Sequence, residues 1–119
     1  MIGRAALLAL AIIAGPAVAQ EAGSASAGEV RVLDKLTGVV TDVEIAAGQT
    51  REVGSLSVAL AECRYPLSNP SGDAYALLRV YFRNETTPVF AGWMMASAPA
   101  LNAMDHRRYD VWVLRCITS

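Results

Sequence analysis

The run Tyr75-Ala76-Leu77-Leu78-Arg79-Val80-Tyr81-Phe82-Arg83-Asn84 decides the fold class. Ala76, Leu78, Val80 and Phe82 recur at every second position, with Tyr75, Arg79, Tyr81 and Arg83 between them. Side chains alternate across a strand with a period of two. The pattern therefore predicts a β-strand with one face in a core and the other turned outward. Asn84-Glu85-Thr86-Thr87-Pro88 then turns the chain. Asn84-Glu85-Thr86 also matches the acceptor pattern for N-glycosylation, a match short enough to recur by chance.

The same reading extends in both directions. Upstream, Leu56 to Arg64 is a strand with Leu56, Val58 and Leu60 on one face and Ala59, Ala61 and Cys63 on the other. A long loop from Tyr65 to Asp73 separates it from the central run, marked by Pro66, Asn69-Pro70 and Ser71-Gly72. Earlier still, Val30 to Leu33 is a first strand, and Val39, Thr41, Val43 and Ile45 share one face of a second. Thr50 to Val53 returns the chain before Gly54-Ser55. Downstream, Val89 to Met94 is a strand and Tyr109 to Ile117 is the last. In that last strand Trp112, Leu114 and Cys116 oppose Tyr109, Val111 and Val113, and apolar residues on both faces predict a central place in a sheet. No segment has a helical period; only Pro99 to Met104 fits a helical turn, with Ser97 as its cap. The expectation is an all-β domain: a small antiparallel β-sandwich or barrel of about seven strands.

The start of the chain has a different character. Met1-Ile2-Gly3-Arg4 is short and basic, Ala5 to Ala14 is apolar, Gly15-Pro16 breaks the run, and Ala17-Val18-Ala19 has the small-x-small form of a cleavage site. This is the layout of a secretory signal peptide. Pro16 cuts the apolar run short of the roughly 20 residues that a membrane span needs, so no transmembrane anchor is expected after cleavage. Residues 1–19 are thus read as signal, 20–29 (small, polar and without period) as a flexible leader, and 30–119 as one domain. Export into a periplasmic or secreted setting makes the only two cysteines, Cys63 and Cys116, a disulfide pair. Closing that loop stabilises the fold by roughly 4 kcal/mol in the chain-entropy picture. A reactive thiol or a metal ligand is the competing reading.

The charge balance excludes one class of partner. The chain of 119 residues carries 10 Lys+Arg against 11 Asp+Glu, and loss of Arg4 with the signal leaves 9 against 11, a net charge of −2. Only Arg107-Arg108 are adjacent, so the clustered basic face that nucleic acid requires is missing.

Functional side chains gather between Pro88 and Cys116, which holds both tryptophans, the single histidine and three of the four methionines. The run Phe90-Ala91-Gly92-Trp93-Met94-Met95-Ala96-Ser97-Ala98-Pro99-Ala100-Leu101-Asn102-Ala103-Met104-Asp105-His106, continuing to Tyr109-Asp110-Val111-Trp112, resembles DUF2155, a family of small exported bacterial proteins of unknown function. Leu33-Asp34-Lys35 with Thr37-Gly38 and the mid-chain cysteine also fit, so the resemblance covers Val30 to Cys116. Members carry His-Pro before the tyrosine, where this chain has Arg107. The resemblance implies bacterial export and supplies no activity.

His106 is the first catalytic suspect because histidine is the usual general acid–base side chain, with Asp105 or Asp110 to orient it and Ser97 as nucleophile. One histidine beside acids is a weak constellation, and no Gly-x-Ser-x-Gly elbow accompanies it. The plainer reading has His106 and Asp110 bonding backbone groups of the loop before the last strand, with Gly92, Tyr109 and Trp112 completing a structural motif. Zinc needs three or four ligands that the chain does not bring together, no calcium loop is recognisable, and no cofactor motif is found. Trp93, Met95, Pro99 and Leu101 form an apolar strand-loop segment, a candidate interaction face. Core packing beside the disulfide is the expectation for Trp93 and Trp112; for Met95 and Ala98–Leu101, core and interface both stand.

The sequence therefore points to a non-enzymatic structural or protein-interaction module of the bacterial cell envelope, with an envelope protein or cell-wall component as partner. Two alternatives accompany it: a small hydrolase- or inhibitor-like protein acting through His106, and a small-ligand or glycan binder using Trp93, Tyr81 and Tyr109.

Overall fold

The structure is a computed structural model and describes residues 21–118; the expected signal peptide lies outside them. The described chain forms eight strands: β1 (Ala22–Ser24), β2 (Ala27–Asp34), β3 (Val40–Ala46), β4 (Gln49–Val53), β5 (Leu56–Pro66), β6 (Tyr75–Phe82), β7 (Phe90–Met95) and β8 (Tyr109–Ile117). A single 3-10 turn, Pro99–Leu101, interrupts the connection from β7 to β8. One sheet runs β1-β5-β6-β7, with β4 pairing a separate part of β5; the other runs β3-β2-β8. Every pairing is antiparallel. The fold is the expected all-β class, a two-sheet sandwich and not a closed barrel.

The eighth strand lies where a flexible leader was expected. Small residues gave Ala22–Ser24 no periodicity, and its order comes from pairing with the end of β5 at Arg64–Pro66. Beside it the Ala25 amide donates to the Cys63 carbonyl at 2.8 Å. Likewise β2 begins at Ala27 rather than Val30, because Ala27 and Gly28 are buried against the other sheet.

Alternation builds the core. Val30 and Val32 on β2, Val43 and Ile45 on β3, Leu56, Val58 and Leu60 on β5, and Ala76, Leu78, Val80 and Phe82 on β6 are all buried, and on β3, β5 and β6 these residues share one face as the period-two reading had them. Thr41 and Val39, expected on the buried face of the second strand, overhang the sandwich and are exposed.

The cysteines depart from simple alternation, and the departure makes their bond possible. Beyond Leu60 the register with β6 slips at Ala61, so that Cys63 returns to the same side as Leu60. In β8 the register slips at Leu114, and Cys116 comes to the side of Val113. A β-bulge adds one residue to one strand and so inverts the faces that follow it. Two such bulges turn both cysteines inward, where a disulfide joins the sheets with 5.7 Å between Cα atoms. Gly28, opposite Cys116, leaves room for it: a Cβ there would lie 3.1 Å from the Cys63 sulfur and 3.2 Å from Leu60. The side chains of Leu60 and Cys63, not the two tryptophans, pack at Gly28 beside the disulfide. Trp93 is 40% exposed and Trp112 half-buried.

The last strand is an edge, not the centre of its sheet; β2 is central. Its second apolar face is shielded by the preceding connection, whose Pro99, Ala100 and Ala103 lie beside Asp110 and Trp112. Met104 from that connection is buried in the core. The open side of the sandwich, between β7 and β8, is closed by a loop.

Candidate functional site

Strand alternation places Phe90 and Met94 of β7 in the core, so Trp93 and Met95 stand on the outer face of the larger sheet. Pairing with β6 sets Trp93 opposite Leu77 and Met95 opposite Tyr75; pairing of β6 with β5 sets Tyr75 opposite Arg64. Leu101, 75% exposed, overhangs this row from the 3-10 turn. Together Arg64, Tyr75, Trp93, Met95, Leu101 and Asn102 line a groove of about 360 Å³. Its volume lies at the small end of ligand sites, and it combines an apolar lining with few polar groups, as such sites do.

The turn that forms one wall is tied down. The Asn102 side-chain amide donates to the Trp93 carbonyl at 2.8 Å, which occupies an acceptor on the edge strand β7. Gly92 sits at φ +153°, and a Cβ there would come within 3.0 Å of the same Asn102 nitrogen. At the other end of the turn Ser97 does not cap a helix. Its hydroxyl donates to Asp73 Oδ2 at 2.7 Å and its amide to Oδ1 at 3.0 Å. Burial pulls the Asp73 pKa up, but the bonds from Ser97 and the Ala74 amide outweigh it, and the carboxyl is held below its ordinary value.

Of the four residues of the sequence-derived face, Trp93, Met95 and Leu101 meet in the groove. Pro99 does not; it lines a second hollow with Trp112 across the turn. Sequence reading missed Arg64, Tyr75 and Asn102 as groove residues. Tyr75 was legible as outward-facing, but only the β5–β6–β7 register shows that it adjoins Met95.

His106 is turned to structural use. Its Nδ1 accepts from the amides of Arg108 at 3.1 Å and Tyr109 at 3.2 Å, and its ring lies 4.7 Å from that of Phe82. Neither Asp105 nor Asp110 forms an ion pair with it among the described residues. Ser97 is committed to Asp73. The Tyr109 ring is buried, and its hydroxyl accepts from the Ser55 amide at 3.0 Å. Tyr109 therefore cannot join Trp93 and Tyr81 in a sugar-stacking surface; Tyr75 is the ring beside Trp93. Among the described residues no cluster of three or more His, Cys, Asp or Glu has metal-binding geometry, and no helix is long and apolar enough to cross a membrane.

Residues 28–116 match the model of a family described as "Uncharacterized protein conserved in bacteria (DUF2155)". The chain belongs to this family. The DUF2155 match takes in strands of both sheets from β2 to β8, without β1, and the whole β7–β8 connection, so the resemblance carried by the Phe90–Trp112 run is borne out. A relative, "Uncharacterized protein RP359" of Rickettsia prowazekii (strain Madrid E), is 25% identical over 92 residues, which is 75% of this chain and 59% of the relative. The chain thus spans less than two thirds of that relative's length. No solved structure matches the chain.

Proposed function

We propose that this DUF2155 chain is an exported, non-enzymatic interaction module of the bacterial cell envelope, and that the outer face of its larger sheet is the binding surface. The observation that carries the reading is the groove of Trp93, Met95, Tyr75 and Leu101, where bulky apolar side chains stand on the solvent side of a sheet whose other side already packs a core. Exposed apolar surface concentrated in one place marks a binding site more often than chance placement does. Export is supported by the signal-peptide layout of residues 1–19 and by a cysteine pair that an oxidising compartment keeps bonded. His106 is bonded to two backbone amides and packed on Phe82, which favours an interaction role over hydrolysis.

Two measurements test this. Fractionation with N-terminal sequencing of the mature protein is expected to find it in the periplasm, starting at Gln20. Affinity capture from solubilised envelope is expected to recover a component that Met95→Glu loses and His106→Ala keeps, with both variants shown to fold. Retention of the component by Met95→Glu would remove the groove from the proposal.

A further inference from the structure

We infer that the groove takes the chain of a single-chain fatty acid, with its carboxylate held by Arg64. This rests on the proposed use of the outer sheet face and names the chemistry that the face recognises.

The lining sets the terms. Arg64, Tyr75 and Met95 lie side by side on β5, β6 and β7. Neighbouring strands are roughly 4.8 Å apart, so the row extends about 10 Å across the sheet from the Arg64 backbone. Trp93 and Leu101 flank its far end, and Arg64 is the one charged residue in the lining. Arg64, like Arg51, Arg79, Arg83 and Arg107, makes no ion pair among the described residues, and of these arginines it is the one that lines the groove. An apolar trough with an unpaired guanidinium at one end complements an apolar chain with one anionic end. A single planar fork matches a carboxylate in bidentate fashion.

A peptide fits less well. The groove crosses the strands of a sheet whose interior backbone groups are paired with one another, and the Trp93 carbonyl at the edge is already bonded to Asn102. A peptide laid here would bury its own amides and carbonyls against apolar side chains without partners. An acyl chain has no such groups to satisfy.

The probe is dodecanoate, kept below its aggregation concentration and titrated into the disulfide-bonded protein. Binding is followed by calorimetry and by tryptophan emission in a Trp112→Phe background, where Trp93 is the reporter. One dodecanoate per chain is expected, with saturable binding at least tenfold tighter than dodecanol or dodecyltrimethylammonium. Arg64→Gln, at an exposed unpaired side chain, should leave the fold intact and reduce dodecanoate to the level of dodecanol. Met95→Glu should abolish binding. Absence of saturable binding to the folded protein, or equal affinity in Arg64→Gln, would overturn the inference. Tighter binding of an apolar peptide with a free C-terminal carboxylate than of dodecanoate would replace it with the peptide reading. If envelope capture still depends on Met95 while dodecanoate fails, only the fatty-acid inference falls and the binding face stands.

Discussion

Single side chains tie the two sheets together where backbone pairing cannot reach. The Tyr109 hydroxyl crosses from β8 to accept the Ser55 amide in the turn between β4 and β5. Gly54, at φ +59°, makes way for it, since a Cβ there would lie 2.7 Å from that oxygen. Tyr109→Phe leaves the Ser55 donor without its partner and is expected to destabilise by about 1–3 kcal/mol, read by urea unfolding. His106→Ala removes the acceptor for two amides and the packing on Phe82. A similar loss is expected, roughly 1–3 kcal/mol, with envelope binding unchanged in the folded fraction. Acid provides a further test at this scale. The Arg108 guanidinium holds the Asp34 carboxyl below its ordinary value, and bonds from Ser97 and Ala74 do the same for Asp73 against the pull of burial. A carboxyl with a depressed folded-state pKa contributes stability that is full above its unfolded value, near pH 4, and is lost as pH falls through the folded value. The unfolding midpoint should therefore drop below about pH 4, and Asp73→Asn should flatten that drop.

At the scale of elements, the strands were largely legible and their edges were not. Ala76, Leu78, Val80 and Phe82 announced β6 because burial on one face leaves a period-two trace in side-chain chemistry. Ala22–Ser24 left none, since pairing along one edge of β5 asks only for backbone groups. The cysteine pair was legible from the signal-peptide layout and from parity of number, yet alternation alone put both on the wrong faces. Bulges at Ala61 and Leu114 have no sequence signature here, and they decide where everything after them points. The apolar character of β8 reported burial correctly but not its source, which is the β7–β8 connection rather than another strand. Replacing both Cys63 and Cys116 with Ala opens a link between residues 53 apart, and the loss expected from chain entropy is about 4 kcal/mol in denaturant unfolding. Asn102→Ala frees the Trp93 carbonyl and unties the turn that walls the groove. It should weaken binding at the groove more than it lowers the unfolding midpoint.

For the whole molecule, the two sheets of the sandwich present unlike outer surfaces. The smaller sheet turns ion pairs outward, Arg31 with Asp42 and Arg115 with Glu29, and its one outward tryptophan, Trp112, is half-buried beside the β7–β8 connection. The larger sheet turns out Tyr75, Leu77, Trp93 and Met95, beneath an exposed Leu101. Half of the proposed binding face was readable from the Trp93–Leu101 run, because strand and turn residues adjacent in sequence stay adjacent in space. Arg64 and Tyr75 reach the face only through register, from strands 11 and more residues apart in sequence. Crosslinking in the living cell reads the asymmetry between the two surfaces. A photoreactive amino acid would be placed at Leu101, on the rim of the groove, or at Glu44, exposed on the outward side of β3 in the opposite sheet. A discrete adduct is expected from Leu101, lost with Met95→Glu, and none from Glu44. An adduct from Glu44 with none from Leu101 would overturn the assignment of the binding surface to the larger sheet.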